Sequence, residues 1–466
     1  MPESPFPPIR HIHVIGICGT AMGSVAAMLR DDGYTVTGSD ERVYPPMSTF
    51  LQEKGIVLRE GYSPANLEPL PNLVIVGNAI SRGNPELEHV LDQRMLYLSL
   101  PETLKLFYLR HTHNLVVTGT HGKTTTTSLL AWIFQHTGRQ PSYMIGGIPL
   151  NFGQGCRRQD GKYWILEGDE YDTAFFDKRS KFLHYLPELA IINNVEFDHA
   201  DIYDDLHAVK KTFRHLVNIV PGNGMIVLNA DDANALEVTR HARAQLVEVG
   251  FSENAAVRIT DHTQDAEGSH FTLLGQRFTV PLYGRHNVHN TAMAVTAAHN
   301  YQIPLPDIAA ALRAFQGVKR RMEVRGEPRG ATVIDDFAHH PTAIRETLQA
   351  LRVRYPGRRL WALFEPRSNT TRRAVFQNDL PAALALADRV VLTQVARAGQ
   401  LKPGEGLDVP KVVADTRDLG VEAWYVPEID DLVALMQKEA TAGDVVAVLS
   451  NGSFGGLIPR LLQQHA

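Results

Sequence analysis

Residues 114–134 read NLVVTGTHGKTTTTSLLAWIF, and this stretch decides the fold predicted for the chain around it. An apolar run that favours a strand ends in a Gly-Thr-His-Gly-Lys-Thr turn, and a run that favours a helix follows directly. This order aims backbone N–H groups and the positive end of a helix dipole at one point, where an anion can bind. The usual loop G-x-x-x-x-G-K-[ST] begins with a glycine where this chain has Val117, so the stretch predicts a shortened phosphate loop.

The turn supplies the parts that a nucleoside triphosphate and its magnesium ion require. Lys123 offers a positive charge, Thr124 offers a hydroxyl for Mg²⁺, and Gly122 lets phosphate oxygens approach the backbone. A helix capped by Thr120 is the alternative, but it does not account for Gly-Lys-Thr directly after a strand. We therefore predict an ATP site formed by Gly119, Thr120, His121, Gly122, Lys123, Thr124 and Thr125.

Acidic and histidine side chains follow two further apolar runs, where a phosphate loop needs a partner for its metal. YWILEGDEYD places Glu167 at the end of a run typical of a buried strand, and INNVEFDHADIYDD places His199 after a second such run. Each segment taken alone is also typical of a solvated surface loop. The position after a run of buried type favours Glu167, with Thr124, as ligands of one magnesium ion. His199 could ligate a second ion, although taken alone this histidine is more typical of a surface residue.

The composition is typical of a globular protein. The chain has 466 residues, 44% apolar and 21% charged, and its net charge of −5 gives no reason to expect nucleic-acid binding. Two cysteines cannot form a disulfide framework, and no apolar run is long enough to cross a membrane. The first ten residues, MPESPFPPIR, contain four prolines and no apolar core, so no signal peptide is predicted. We expect a cytoplasmic enzyme or binding protein.

The same strand–turn–helix pattern occurs three times. It begins at HIHVIGICGTAMG, at NLVVTGTHGKTTT and at ATVIDDFAHHPT, and further apolar, β-branched runs follow each start. Alternating strands and helices indicate parallel, doubly wound sheets. We predict an α/β protein of three domains: a Rossmann-like N-terminal domain at 1–110, a central phosphate-loop domain with a parallel or mixed sheet at 111–322, and a Rossmann-like C-terminal domain at 323–466.

The N-terminal start partly matches a dinucleotide-binding fingerprint. In GICGTAMG, Cys18 occupies the second glycine position and Ala21 the third, and Asp40 follows at roughly the distance of the acidic residue that binds a ribose. An NAD-dependent oxidoreductase is therefore a remote alternative. A regulatory protein that hydrolyses ATP without joining two substrates is another.

TGTHGKTTT, LEGDEYD and NNVEFDHADIY resemble the central domain of the Mur ligases, the ATP-dependent enzymes that form amide bonds in peptidoglycan synthesis. The resemblance extends from His11 to the C-terminus, and the family's loop is similar to the shortened form found here. It implies a UDP-sugar-binding N-terminal domain, a central ATPase, and a C-terminal domain that closes on ATP and the peptide. ATP and Mg²⁺ are the implied cofactors.

The resemblance also implies roles for individual residues. Lys123 would hold the β- and γ-phosphates, and His199 and His339 would lie beside the reacting groups as candidate catalytic residues. The segments YGRHNVHNTAMAV, GVKRRME and IDDFAHHPT would add to the ATP site His286, Asn287, Asn290, Arg321 and Asp336. The UDP-sugar site would contain Gly16, Gly19, Thr20, Ser39, Asp40 and Asn78.

The chemistry implied for the family has two steps. Phosphoryl transfer from ATP turns a carboxylate, whose oxygen is a poor leaving group, into an acyl phosphate that an amine can attack. Both steps accumulate negative charge on oxygen, so fixed cations stabilise them. The amine must be neutral, which implies a nearby base such as His199 or His339, and domain closure would exclude water.

One departure from the family pattern bears on the substrate. Several Mur ligases carry a carbamylated lysine shortly after the DH segment, whereas Phe213 occupies that position here, with Lys210 and Lys211 close by. This favours the branch that uses UDP-N-acetylmuramate as the carboxylate donor. Within that branch, one enzyme adds L-alanine, and another re-attaches the recycled tripeptide L-alanyl-γ-D-glutamyl-meso-diaminopimelate.

The acceptor prediction depends on FEPRSNTTRRAVFQ and LSNGSFGGL, which resemble the tripeptide branch. The alanine-adding branch reads P-H-R-Y where this chain has Pro-Arg-Ser-Asn at 366–369. Guanidinium groups pair bidentately with carboxylates, so we predict that Arg367, Arg372 and Arg373 bind the tripeptide, although such a cluster is also typical of a solvated helix start. We predict a ligase of peptidoglycan recycling, a monomer or weak homodimer, with the alanine ligase as the alternative.

Overall fold

The computed structural model describes residues 8–402 and 404–463 and contains three α/β domains in succession. The prediction about a signal peptide concerns residues 1–10, of which 1–7 lie outside the described residues. Within the described ranges, no helix is both long enough and apolar enough to cross a membrane.

The N-terminal domain is a five-stranded parallel sheet flanked by helices. Its strands are β1 (His11–Ile15), β2 (Thr35–Asp40), β3 (Val57–Glu60), β4 (Leu73–Val76) and β5 (Tyr97–Ser99), in the order β3-β2-β1-β4-β5. Its helices are α1 (Thr20–Asp31), α2 (Met47–Glu53), α3 (Pro85–Asp92) and α4 (Leu100–Phe107). The strand order reverses at β1, and ligands of such sheets bind outside the carboxyl ends of the strands at this point.

The central domain contains an eight-stranded mixed sheet and two smaller antiparallel sheets. Its strands are β6 (His113–Thr118), β7 (Ser142–Met144), β8 (Cys156–Arg157), β9 (Tyr163–Glu167), β10 (Asp172–Ala174), β11 (Asp177–Ser180), β12 (Leu189–Ile192), β13 (Met225–Asn229), β14 (Gln245–Gly250), β15 (Val257–Arg258), β16 (Thr260–Asp265), β17 (Gly268–Leu273) and β18 (Gln276–Val280). Its helices are α5 (Lys123–His136), α6 (Leu206–Ile219), α7 (Ala233–Thr239), α8 (Arg285–Asn300) and α9 (Leu305–Arg313).

The order of the large central sheet, β15-β14-β13-β12-β6-β9-β7-β8, positions the predicted site. Strand β6 is parallel to both β9 and β12. The phosphate loop after β6, Glu167 at the end of β9 and the segment after β12 therefore meet at the same edge of the sheet. The antiparallel sheet β16–β18 and the hairpin β10–β11 were not predicted from the sequence.

The C-terminal domain is a six-stranded sheet, parallel except for one edge strand. Its strands are β19 (Glu323–Gly326), β20 (Thr332–Asp336), β21 (Leu360–Phe364), β22 (Arg389–Leu392), β23 (Glu422–Tyr425) and β24 (Val445–Leu449), in the order β19-β20-β24-β21-β22-β23. Its helices are α10 (Pro341–Arg354), α11 (Leu380–Leu384), α12 (Val409–Asp418), α13 (Ile429–Glu439) and α14 (Leu457–Leu462).

The predicted α/β class is confirmed: the N-terminal sheet is parallel, the central sheet is mixed, and the C-terminal sheet is parallel except for the edge strand β19, which was not predicted. Short 3-10 helices connect some of these elements, at Pro64–Leu67, Leu109–His111, Lys181–His184, Pro328–Gly330, Ala374–Phe376, Ala398–Gln400 and Phe454–Gly456. No two of the three large sheets share a strand within the described ranges. The exact domain boundaries near 110 and 322 stay predictions.

Phe213, which the sequence resemblance places at the position of a modified lysine, is fully buried on α6. Its ring centroid lies 5.7 Å from that of Phe182. We expect Phe213→Ala to lower the free energy of unfolding by about 3–5 kcal/mol, because it removes a large core side chain and leaves a cavity. Thermal unfolding measures the effect. Ile219→Ala on the same helix is the control, because that side chain is 40% exposed and its variant should unfold near the wild-type temperature.

Candidate active site

The phosphate loop between β6 and α5 depends on two glycines. Gly119 has a φ of 131° and Gly122 a φ of 78°, conformations that L side chains rarely adopt. A Cβ on Gly122 would overlap Oδ1 of Asn290 on α8, and one on Gly119 would lie 3.0 Å from Cβ of Asn193. The loop is therefore closely packed on both sides. The first N–H groups of α5, which have no acceptor within the helix, form an anion-binding end beside it.

The segment after β12 holds the loop in place. The N–H of His121 donates to Oδ1 of Asn194 at 2.7 Å, and the hydroxyl of Thr120 accepts from the N–H of Glu196 at 2.8 Å. Asn194 and Glu196 were not predicted as site residues. The available signal was NNVEFDH, a polar motif that directly follows a buried strand.

Lys123 begins α5 and its ammonium group is in contact with carboxylate and carbonyl oxygens. Nζ donates to Oε2 of Glu170 at 2.7 Å and to the backbone O of Gly119 at 2.8 Å. Burial opposes the charged form, but the charges of Glu170 and Asp169 outweigh it and raise the pKa of Lys123. The ammonium group is thus held in its charged form beside the loop. Glu170, its partner, was missed from the sequence because it lies three residues past Glu167, the expected metal ligand.

Thr124 and Glu167, two of the predicted magnesium ligands, lie together. Oγ1 of Thr124 donates to Oε1 of Glu167 at 2.9 Å, and the N–H of Gly146 donates to Oε2 at 2.7 Å. Arg321 of the linker to the third domain donates from Nη2 to Oγ1 of Thr124 at 3.2 Å. Burial raises the pKa of Glu167. A hydroxyl and a carboxylate are oxygen ligands of the kind Mg²⁺ prefers, so this pair fits a magnesium ion.

His199, the third predicted ligand, lies in a separate cluster beside Lys123. Its Nε2 is 3.3 Å from Oε1 of Glu170, and one ligand atom from each of Asp169, Glu170 and His199 lies within 4.8 Å of the others. Burial opposes protonation, but the hydrogen bond and charge of Glu170 outweigh it and raise the pKa of His199 to about 9. A metal ion would have to displace that proton, because only a neutral imidazole ligates.

A second cluster joins the phosphate loop to the N-terminus of α10. Nε2 of His121 is 3.2 Å from Oε2 of Glu196, and the same carboxylate oxygen accepts from the hydroxyl of Thr342 at 2.8 Å. Nδ1 of His340 accepts from the N–H of Thr342 at 3.2 Å, and its Nε2 donates to the backbone O of Phe197 at 3.3 Å. Burial lowers the pKa of His340 to about 3, so this imidazole is neutral and both its nitrogens are in use.

Asp336, at the end of β20, lies beside Arg321. Its Oδ2 accepts from the N–H of Met322 at 2.7 Å, and its Oδ1 accepts from the N–H of Ala338 at 2.8 Å. The guanidinium carbon of Arg321 lies 4.6 Å from the centroid of the Phe337 ring. These contacts place two predicted ATP residues at the boundary between the central and C-terminal domains.

Three further ATP residues predicted from the sequence lie in the first turns of α8. Asn290 packs against the loop at Gly122, and its Nδ2 donates to Oδ1 of Asn287 at 3.3 Å. Nδ1 of His286 is 3.2 Å from Oε2 of Glu346 on α10. The N-terminus of α8 therefore links the phosphate loop to the C-terminal domain.

A cleft of about 1200 Å³ lies where the three domains meet. It is lined by Thr124 and Glu167 of the central domain, by Thr20 of α1 and by Arg321. Charged side chains of both signs line the rest of the cleft: the basic residues Lys54, Arg157, Arg158, Lys319, Arg320 and Arg325, and the acidic residues Asp31, Asp32, Asp160 and Glu323. The cleft is therefore bordered by residues from both the predicted ATP site and the predicted UDP-sugar site.

The predicted UDP-sugar residues surround the turn after β1. The N–H of Gly16 donates to the backbone O of Ser39 at 2.8 Å, and the N–H of Cys18 donates to Oδ2 of Asp40 at 2.8 Å. Ser39 itself is fully buried, and its hydroxyl donates to Oε1 of Glu86 at 2.8 Å. The remaining members of the set are exposed: Gly19, Thr20 and Asn78. The side chain of Ser39 therefore supports the turn from inside.

The three predicted peptide-binding arginines follow β21 but differ in their surroundings. Nη1 of Arg367 is 3.4 Å from Oε1 of Glu365, and Nη1 of Arg373 donates to the backbone O of Asn369 at 2.6 Å. Arg372 is only 7% exposed, and its Nε has no hydrogen-bond partner among the described residues. Burial and the charge of Arg373 lower the pKa of Arg372. Its other two nitrogens already have partners, because Nη1 donates to Oε1 of Gln400 at 3.0 Å and Nη2 donates to Oδ1 of Asn369 at 2.8 Å.

Family models match three consecutive parts of the chain. Residues 11–112 match "Mur ligase family, catalytic domain", residues 117–298 match "Mur ligase middle domain", and residues 320–452 match "Mur ligase, glutamate ligase domain". A protein of Escherichia coli (strain K12), named UDP-N-acetylmuramate–L-alanyl-gamma-D-glutamyl-meso-2,6-diaminoheptandioate ligase, is 44% identical over 463 residues, which are 97% of each chain. A Haemophilus influenzae protein of the same name is 43% identical and is matched over 98% of this chain and 99% of its own.

A solved structure agrees with these matches. The crystal structure of a murein peptide ligase from Psychrobacter arcticus is 36% identical, covers 97% of this chain and 98% of its own, and superposes with a TM-score of 0.72. The phosphate loop, the acidic residues beside it and the three domains define an ATP-dependent, amide-forming ligase. The chain belongs to the Mur ligase family, so the resemblance read from the sequence is confirmed.

Proposed function

We propose that the chain is an ATP-dependent ligase that joins UDP-N-acetylmuramate to the tripeptide L-alanyl-γ-D-glutamyl-meso-diaminopimelate, in the recycling of peptidoglycan. The observation that carries this function is the full-length identity, 44% and 43%, to two ligases whose names specify that donor and that acceptor. A UDP-N-acetylmuramate–L-alanine ligase of Halorhodospira halophila is less similar, at 34% identity over 98% of this chain. The tripeptide is therefore the favoured acceptor.

ATP binding is assigned to the phosphate loop and the residues that approach it from α8 and the third domain. The charged ammonium group of Lys123 and the N-terminus of α5 offset the charge of the β- and γ-phosphates. Arg321 donates to Thr124, Asn290 packs against Gly122, and Asp336 lies beside Arg321. Thr124 and Glu167 would hold a magnesium ion, with His199 as the candidate ligand of a second, and the metal would neutralise charge on the transferring phosphoryl group.

The reaction we infer proceeds through an acyl phosphate. The donor carboxylate attacks the γ-phosphorus, ADP leaves, and the amine of the tripeptide then attacks the acyl carbon and expels phosphate. The cationic groups around the loop stabilise the oxygens on which charge accumulates. His199 and His339 are the candidate proton acceptors for the amine; Nδ1 of His339 is 3.0 Å from the backbone O of Phe337, and its Nε2 lies 3.7 Å from Oδ2 of Asp198.

The partners and location follow from this assignment. The donor would lie at the turn after β1 with Gly16, Gly19 and Asp40, and the acceptor would lie at the C-terminal sheet near Arg372. Both cysteines are free, as expected of a reducing compartment, and we place the enzyme in the cytoplasm as a monomer or weak homodimer.

The experiment that tests the function is ADP release with ATP, Mg²⁺, UDP-N-acetylmuramate and either the tripeptide or L-alanine. We expect turnover with the tripeptide to exceed turnover with L-alanine by at least about 100-fold, because alanine leaves buried acceptor-binding groups unpaired. Omission of UDP-N-acetylmuramate should stop ADP release, which a protein that only hydrolyses ATP would continue. A preference for alanine would instead assign the chain to the alanine-adding branch.

A further inference from the structure

The segment that carries His199 is contacted from the C-terminal domain by a threonine with no assigned role. Thr370, in the loop after β21, is 1% exposed. Its hydroxyl donates to Oδ1 of Asp198 at 2.7 Å and accepts from the N–H of Ala200 at 3.2 Å. These two partners are the residues immediately before and after His199. One hydroxyl of the C-terminal domain therefore contacts both sides of a candidate catalytic residue in the central domain.

His199 needs such support because its backbone is strained. Its φ is 56°, in the left-handed region that residues other than glycine rarely adopt. Oδ1 of Asp198 also accepts from the N–H of His199 at 2.7 Å, so the same oxygen bonds both to His199 and to Thr370. Strained conformations persist where surrounding contacts determine them, and they concentrate at functional sites.

We propose that Thr370 is a positioning residue, which holds the backbone of His199 in its left-handed conformation through Asp198 and Ala200 when the C-terminal domain is docked on the central domain. Docking of the C-terminal domain thereby completes the geometry of His199 beside Glu170. This inference rests on the proposed function insofar as His199 acts at the reacting groups. Thr370 acts through its neighbours, because its hydroxyl is bonded to Asp198 and Ala200 on either side of His199.

The neighbouring threonine provides a matched control. Thr371 is also fully buried, but its hydroxyl pairs with the hydroxyl of Ser368 at 2.7 Å within the same loop. Replacement of either threonine by valine removes one buried hydroxyl with little change of shape. Only the change at Thr370 removes contacts to the segment around His199.

The first measurement is the steady-state rate of the full-length enzyme with both substrates. We expect Thr370→Val to lower kcat at least about tenfold, because a displaced catalytic group slows the reaction. The KM for UDP-N-acetylmuramate should stay within about twofold, since the donor binds at the N-terminal domain. Thr370→Ser, which keeps the hydroxyl, and Thr371→Val should both retain kcat within about threefold.

The second measurement is backbone hydrogen exchange in the peptide that spans residues 197–203. Thr370→Val should raise exchange there several-fold because the N–H of Ala200 loses its acceptor, whereas Thr370→Ser and Thr371→Val should not. If Thr370→Val does not fold, Thr370→Ala serves instead, since it also lacks the hydroxyl.

The outcomes separate this inference from the proposed function. Unchanged exchange, unchanged kcat, or equal losses in the Thr370→Val and Thr371→Val variants would overturn the role of Thr370. A wild-type enzyme that releases no ADP with both substrates would overturn the proposed function, and the exchange measurement would still test whether Thr370 holds the segment around His199.

Discussion

Lys123→Ala should abolish ADP release, with a fall in kcat of at least about 1000-fold. The ammonium group of Lys123 is the cation of the phosphate loop, with its side chain only 13% exposed, and the charges of neighbouring carboxylates hold it in its charged form. Alanine would remove the charge that offsets the transferring phosphoryl group, and no other lysine or arginine among the described residues donates to the carbonyl of Gly119. ADP release in the presence of UDP-N-acetylmuramate and the tripeptide measures the loss.

Two controls make the result specific. The affinity of Lys123→Ala for UDP-N-acetylmuramate, measured by calorimetry, should remain within about threefold, because that substrate is assigned to a different domain. Lys178→Ala should keep wild-type turnover, since Lys178 pairs with Asp172 at 2.7 Å and its side chain is 71% exposed. If the Lys123→Ala variant turned over within tenfold of the wild-type rate, the role that we assign to the phosphate loop in the mechanism would be wrong.

Gly122→Ala should lower kcat/KM for ATP by about 100-fold, the second-largest effect that we expect. Alanine at this position suffers both a left-handed backbone, with a φ of 78°, and an overlap of its Cβ with Oδ1 of Asn290. Either the loop or Asn290 must move, and both belong to the predicted ATP site. The measurement is the initial rate as a function of ATP concentration at saturating donor and tripeptide.

Gly138→Ala is the matched control for this substitution. Gly138 follows the other end of α5 with a φ of 76°, but no atom lies within 4 Å of the Cβ that alanine would add. Both variants therefore lose about 1–2 kcal/mol to backbone strain, while only Gly122→Ala crowds the site. Equal kinetics for the two variants would show that the clash with Asn290 has no functional consequence.

The parts of the site that were predictable are those whose signal is local. Gly-Lys-Thr after an apolar run specified the strand, the loop and the helix, because the motif and its context lie within some twenty residues. Glu167 followed from its position at the end of a second buried run, and the sheet order places that strand next to β6. The three-domain α/β fold was predictable for the same reason, since each domain begins with its own strand–turn–helix pattern.

The remaining contacts could not be predicted because they join distant parts of the chain. Thr370 contacts Asp198 across 172 positions, and Thr342 contacts Glu196 across 146. Each pair depends on how the C-terminal sheet docks against the central one, which no periodicity or spacing encodes. Ser39 was expected near the turn after β1. The direction of its hydroxyl could not be predicted, because it depends on Glu86, a buried carboxylate 47 residues away.

The contacts of Glu196 have a thermodynamic consequence for nucleotide binding. Its backbone N–H and carboxylate contact the phosphate loop at Thr120 and His121, and the same carboxylate accepts from Thr342 at the start of α10. A ligand that prefers the loop in this arrangement therefore also favours docking of the third domain. By reciprocity, if bound ATP strengthens the docking of the third domain by some factor, the docked domain strengthens ATP binding by the same factor. A mutation of this single carboxylate should therefore weaken both ATP binding and domain docking.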